Sequence, residues 1–163
     1  MTTTTDMTED QVVLTREGRR LLEERLGHLN RQIIPELRAA LADREDDRPL
    51  HEYEWLVERS VRLERLLSVA VVAESQPRGT DAVRLGDAVT VQLPDTRERF
   101  LVVHPLEAPL DGVRISASSP LARVVLGRRS GDVVDVRSPG GRYRAQILAV
   151  ERTGMPLAAE VAA

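Results

Sequence analysis

The sequence predicts an α+β protein, an antiparallel α-helical coiled-coil hairpin followed by a small antiparallel sheet domain. Three observations predict it. Apolar residues recur every three or four positions from Leu22 to Leu41 and again from Tyr53 to Ala70, the spacing of one stripe on an α-helix. Beyond Asp81 the apolar period changes to two, the spacing of strands. Between the two helical stretches lies DREDDRPLHEY, Asp43 to Tyr53, in which Pro49 marks a break and acids crowd together.

Taken in order, residues 1–13 are polar and read as a flexible start. Thr15 is suited to cap a helix, with Glu17 in the first turn to complement the helix dipole. Leu22, Leu26, Leu29, Ile33, Leu37 and Leu41 then form one stripe. Pro35 lies inside it and is expected to remove one backbone hydrogen bond and bend the helix without ending it, because the stripe continues in phase. After the break, Tyr53, Leu56, Ser60, Leu63, Leu67 and Ala70 form a second stripe on a helix of about 22 residues, with charged residues on the outer face. The hairpin spans 14–75 with an acidic tip at 43–54, and it extends roughly 35–40 Å at about 1.5 Å per residue. Like charges crowded at one end of a rod repel, so Asp43, Glu45, Asp46 and Asp47 point to a cationic partner; the plain alternative is a solvated turn.

Residues 76–81 read as a hinge by composition. The C-terminal domain spans 82–152, and 153–163 read as a flexible tail. Its strands are signalled by Val89, Val91 and Leu93; Phe100 to Val103; Val113 and Ile115; Val134 and Val136; and Ala145, Ile147 and Ala149. A short helix from Pro120 to Leu126 interrupts them, with Ser119 as its cap and Pro120 at its first position.

Composition excludes several classes of function. The chain has no cysteine and no lysine, which removes thiolate chemistry, disulfides and cysteine metal sites. His28, His51 and His104 stand singly, without a second ligand at metal-binding spacing. No apolar run approaches the roughly 18 residues of a membrane span, and the N-terminal segment is unlike a signal peptide, so a cytoplasmic protein without a membrane partner is expected. Residues 1–75 carry 16 acids and 11 arginines, and residues 76–163 carry 10 acids and 12 arginines. Neither half shows the concentrated basic face of a duplex-wrapping protein.

Ile115 to Gly141, ISASSPLARVVLGRRSGDVVDVRSPGG, resembles the C-terminal signature of the bacterial Gre-family transcription factors. Thr15, Gly18, Leu21 and Pro35 stand at the spacing of that family's first helix, and Glu52-Tyr53 is similar to its tip motif. The resemblance covers about residues 14 to 151. It implies an arm that enters the secondary channel of RNA polymerase and a head of FK506-binding-protein-like fold that grips the channel rim. Ser119, Pro120 and Leu121 match the signature positions at that rim contact. The partner implied is RNA polymerase, with nascent RNA reached indirectly, and the chain is expected to act as a monomer.

In the family, tip carboxylates help hold a second magnesium ion at the polymerase active centre, so that the polymerase cuts its own backtracked RNA. Nothing in this implies a catalytic residue, a stably bound metal or a cofactor belonging to the chain itself. Matching Tyr53 to the family tyrosine sets Asp46 on the acting aspartate, but Pro49 on the acting glutamate and Leu50 on the asparagine beside it. Roughly ten residues fewer also lie between the matched helices, which draws the tip back by about 7–8 Å at about 1.5 Å per residue. The resemblance therefore implies a channel binder, inhibitory and without efficient transcript cleavage. An ordinary cleavage factor is the alternative. A proline isomerase is a distant one, since the domain has only Phe100 and Tyr143 to line such a pocket, and a pure coiled-coil interaction module is another.

Overall fold

The computed structural model describes residues 11–42, 48–75 and 81–152. It divides into two units, a helical unit built on residues 19–70 and a head built on residues 13–18 and 71–152. A short strand, β1 (Val13–Leu14), precedes helix α1 (Arg16–His28). Thr15 caps α1, its hydroxyl accepting the Gly18 N–H at 2.9 Å, as its residue type predicts.

In place of one bent α-helix, α1 passes through a π-helical turn, Leu29–Ile33, into α2 (Ile34–Ala42). The reason is Pro35. It offers no N–H to the carbonyl four residues back, and the wider turn lets the Ile34 N–H reach the Leu29 carbonyl instead. Helix α3 runs over Arg48–Val69 and is 22 residues long. Pro49 is the second residue of that helix, where a missing N–H costs nothing.

The helices run antiparallel. Arg19 donates to the Ala70 carbonyl at 3.2 Å, Ser60 Oγ to Asn30 Oδ1 at 2.5 Å, and Arg38 to the Tyr53 hydroxyl at 3.0 Å, so rising numbers on one side meet falling numbers on the other. Leu22 and Leu67 are buried, while Leu26, Ile33, Leu37, Leu56 and Leu63 are half-buried. Two helices sharing one seam bury only one stripe each. Ser60 is buried within that seam, and its bond to Asn30 suits a polar pair that sets register.

In the head, β2 (Val71–Val72) pairs parallel with β1. Val13, at the end of the stretch read as a flexible start, is buried with Leu14 in this pairing. The main sheet contains β3 (Ala88–Gln92), β4 (Arg97–Val103), β5 (Arg114–Ser116), β6 (Val133–Ser138) and β7 (Gly141–Glu151), in the order β5-β4-β3-β7-β6. The expectation of an antiparallel sheet is corrected at one pairing, because β4 and β5 are parallel. The connection between them folds through a 3-10 turn, Ala108–Leu110, and returns β5 in the direction of β4. Apolar alternation has a period of two in either direction, so it carries no information about this choice.

Helix α4 (Pro120–Val125) lies on one face of the sheet. Its Ala122 and Val125 pack with Val89, Val91, Val102, Val136, Ala145 and Ile147 to form the core. Gly127, at φ 79°, turns the chain out of α4 in a conformation that other residues adopt at a cost.

Candidate functional site

The four carboxylates expected at the hairpin end, Asp43, Glu45, Asp46 and Asp47, lie outside the described residues. Their flanks are described. Helix α2 ends at Ala42 and α3 begins at Arg48, so the interval between the helices is five residues. Beside it, the Arg38 guanidinium donates to the Tyr53 hydroxyl and lies 5.9 Å from the ring centroid, tying α2 to α3. One turn beyond Leu50, Trp55 is exposed with the Arg59 guanidinium 5.1 Å from its ring.

Ser119, Pro120 and Leu121 are brought together at the start of α4, but they do different things. Ser119 is the cap, its Oγ accepting the Ala122 N–H at 3.3 Å. Leu121 is half-buried and packs against the head core. Pro120 is exposed at the first helical position, where its fixed φ suits the helix and its ring is left to solvent. Of the three, Pro120 presents the surface available to a partner.

Sequence reasoning missed Glu107. Its side chain is fully buried. Its carboxylate accepts the Thr15 N–H at 3.1 and 3.3 Å and the Thr15 hydroxyl at 2.5 Å. In the usual capping box the carboxylate comes from the third residue of the helix itself. Here that residue is Gly18, and an added Cβ would lie 1.3 Å from Glu107 Oε1. The head thus supplies from 92 residues away the acceptor that the helix lacks. Glu74 adds a second, taking the Arg16 N–H at 3.0 Å, and both carboxylates suit the positive end of α1.

Burial pushes the Glu107 carboxyl above its ordinary range, opposed by the Thr15 hydrogen bonds and by the charge of Arg114. The Arg114 side chain is itself almost fully buried; it pairs with Asp111 and stands 3.9 Å from Glu17. The available signal was Thr15-x-x-Gly18, a cap followed by glycine where an acid belongs. Among the described residues no group of three or more His, Asp or Glu side chains is placed to hold a metal ion.

Comparison with known proteins decides the family. The model for "Transcription elongation factor, GreA/GreB, C-term" matches residues 77–152. Transcription elongation factor GreA of Thermotoga neapolitana is 36% identical over 152 residues, covering 86% of this chain and 97% of that protein. The chain belongs to the Gre family. The GreA of Chloroflexus aurantiacus is 38% identical over 156 residues, covering 88% of this chain and 99% of its own length. The crystal structure of Thermus aquaticus Gfh1 matches at 29% identity over 86% of this chain and 98% of that one, with a TM-score of 0.39; the family assignment rests on the sequence relatives. Since 86% of 163 residues is about 140, roughly a dozen of the 152 positions aligned with the Thermotoga factor have no counterpart in this Gre-family chain.

Proposed function

We propose that this Gre-family chain binds RNA polymerase at the rim of the secondary channel through the head surface around Pro120. In this reading it regulates transcription by placing its acidic hairpin end in the channel, as an inhibitor that does not stimulate efficient transcript cleavage. The observation that carries the reading is the start of α3 at Arg48. The position matched to the family's acting glutamate holds Pro49, in the first turn of that helix, and a proline offers a metal no carboxylate. The dozen-position deficit is close in size to the roughly ten residues by which the arm is read as short. A tip drawn back by about 7–8 Å is not restored by side-chain rotamers when magnesium–oxygen bonds are about 2.0–2.1 Å long.

The curled sheet with α4 on one face supports an FK506-binding-protein-like head. Phe100 and Tyr143 pack against its core, which speaks against a proline-isomerase pocket. The chain then acts as a cytoplasmic monomer with no catalytic residue or cofactor of its own, sharing at most the polymerase's magnesium and reaching nascent RNA only through the polymerase.

The test is transcription from a stalled, backtracked complex of the matching polymerase, with the RNA products sized. Reduced synthesis without shortened RNAs is expected. Shortened, extendable RNAs would instead make the chain a cleavage factor, the reading favoured by the acids at Asp43, Glu45, Asp46 and Asp47.

A further inference from the structure

The face of the five-stranded sheet turned away from α4 is covered at one end, where Ala108 packs on Ala88, Leu101 and Val103. Alternation along the strands places five arginines on the rest of it: Arg97 and Arg99 from β4, Arg137 from β6, and Arg142 and Arg144 from β7. Arg99 pairs with Glu151, and Arg144 with Asp135 at 3.4 Å. Arg97, Arg137 and Arg142 are exposed and form no ion pair among the described residues. Arg137 and Arg142 stand directly opposite each other across β6 and β7. Like charges in that arrangement destabilise a sheet, so the pair is a cost that an anionic ligand would offset.

We propose that this sheet face binds duplex DNA through its phosphates. The chemistry of the face selects the occupant. Phe100 and Tyr143 belong to the core on the other side, so the face lacks the aromatic platform on which single strands stack. Val133, on the edge strand, is the large apolar side chain it exposes, and a protein interface relies on a cluster of such anchors at its centre. What it offers is guanidinium groups. Arg97 and Arg99, like Arg142 and Arg144, lie two residues apart on one strand, about 6.6–6.8 Å along it, and β4 and β6 are roughly 14 Å apart across the sheet. That spread reaches several phosphates of a duplex carrying one charge per about 1.7 Å of axis, in contacts that do not read sequence.

Helix α4, which carries Pro120, packs on the opposite face of the sheet. The two surfaces can therefore be engaged and mutated separately. The site is weak by itself, and it becomes useful when the polymerase holds the chain near its template, where effective concentrations reach the order of millimolar. That consequence rests on the proposed function; phosphate binding does not.

The experiment is fluorescence anisotropy of the full chain on a short labelled duplex of mixed sequence, titrated at several salt concentrations. Three phosphate contacts predict a slope of log K against log salt of about −2.7, which is roughly 40-fold weaker binding between about 50 and 200 mM salt. The variant R97Q/R137Q/R142Q should lose this binding and its salt dependence, while melting at no lower temperature. The corresponding triple Lys variant should retain it, and Arg142→Gln alone should reduce the slope by about 0.9. A native slope near zero, unchanged binding by the triple Gln variant, or preferential binding of single-stranded RNA or of a polyglutamate peptide would each overturn the proposal. Pro120→Glu should leave duplex binding unchanged, and the triple Gln variant should still compete for polymerase, so failure here and failure of the channel-binding reading are distinguishable.

Discussion

Gly18→Ala is expected to destabilise the protein although alanine is the better helix former. The added Cβ would lie 1.3 Å from Glu107 Oε1, 2.3 Å from its Cδ and 2.8 Å from its Cγ. The whole buried end of the glutamate therefore has to leave. Thr15 then keeps a buried N–H without its acceptor, a cost of about 1–3 kcal/mol, and its hydroxyl loses a bond to a charged group, about 1.5–3 kcal/mol. The helix-propensity gain from glycine to alanine is only about 1 kcal/mol. The net loss is roughly 1.5–5 kcal/mol, and each kcal/mol lowers the melting temperature by about 4–8 °C in a unit of this size. Urea and thermal unfolding followed by circular dichroism give both quantities. Gly27→Ala is the control, since its Cβ would meet the flexible end of Arg31 at 2.7 Å, and it should stabilise by about 0.5–1 kcal/mol. Equal stability of the two variants would refute the packing of Glu107 against the first turn of α1.

Three further outcomes are expected. Burial raises the Glu107 carboxyl above its ordinary 4.5, so its contribution to stability is fully present below that value and is lost as pH rises through the raised one. The stability of the native chain minus that of Glu107→Gln should accordingly fall with rising pH across this window, and a difference that grows with pH would contradict it. Pro120→Glu should abolish competition with other channel-binding factors while the protein still melts cooperatively, because the ring is exposed and an acid suits the first turn of a helix; unchanged competition would place the grip elsewhere. D46N/D47N should weaken inhibition of transcription, each lost charge mattering by about 1 kcal/mol or more at an effective dielectric near 20. If inhibition is unaffected, the acidic end is a solvated turn and the arm acts by bulk.

Local signals were legible and long-range ones were not. The Thr15 cap and the Ser119-Pro120 start of α4 agree with the sequence reading, because each depends on residues within a turn or two of one another. The second helix has the expected length but starts at Arg48, inside the stretch read as the tip, because a proline at the second helical position ends nothing. The candidate rim residues were named from the signature, but their separate roles needed the packing: Leu121 faces the core and Pro120 faces solvent. The π turn before Pro35 escaped because a proline states which bond is lost and not how the neighbouring carbonyls are satisfied.

The sequence by itself determined the two helical stripes, the change to strand periodicity and the Gre-family signature, since side-chain period and cap chemistry act over a few residues of chain. Only the tertiary structure decided that β5 runs parallel to β4, that Glu107 completes the cap of α1 from 92 residues away, and that scattered arginines share one sheet face. Each of these depends on which segments meet, and an apolar period of two is the same for either strand direction and silent about partners. Burial, likewise, belongs to the place where a carboxylate or guanidinium ends up, and its residue type does not reveal it.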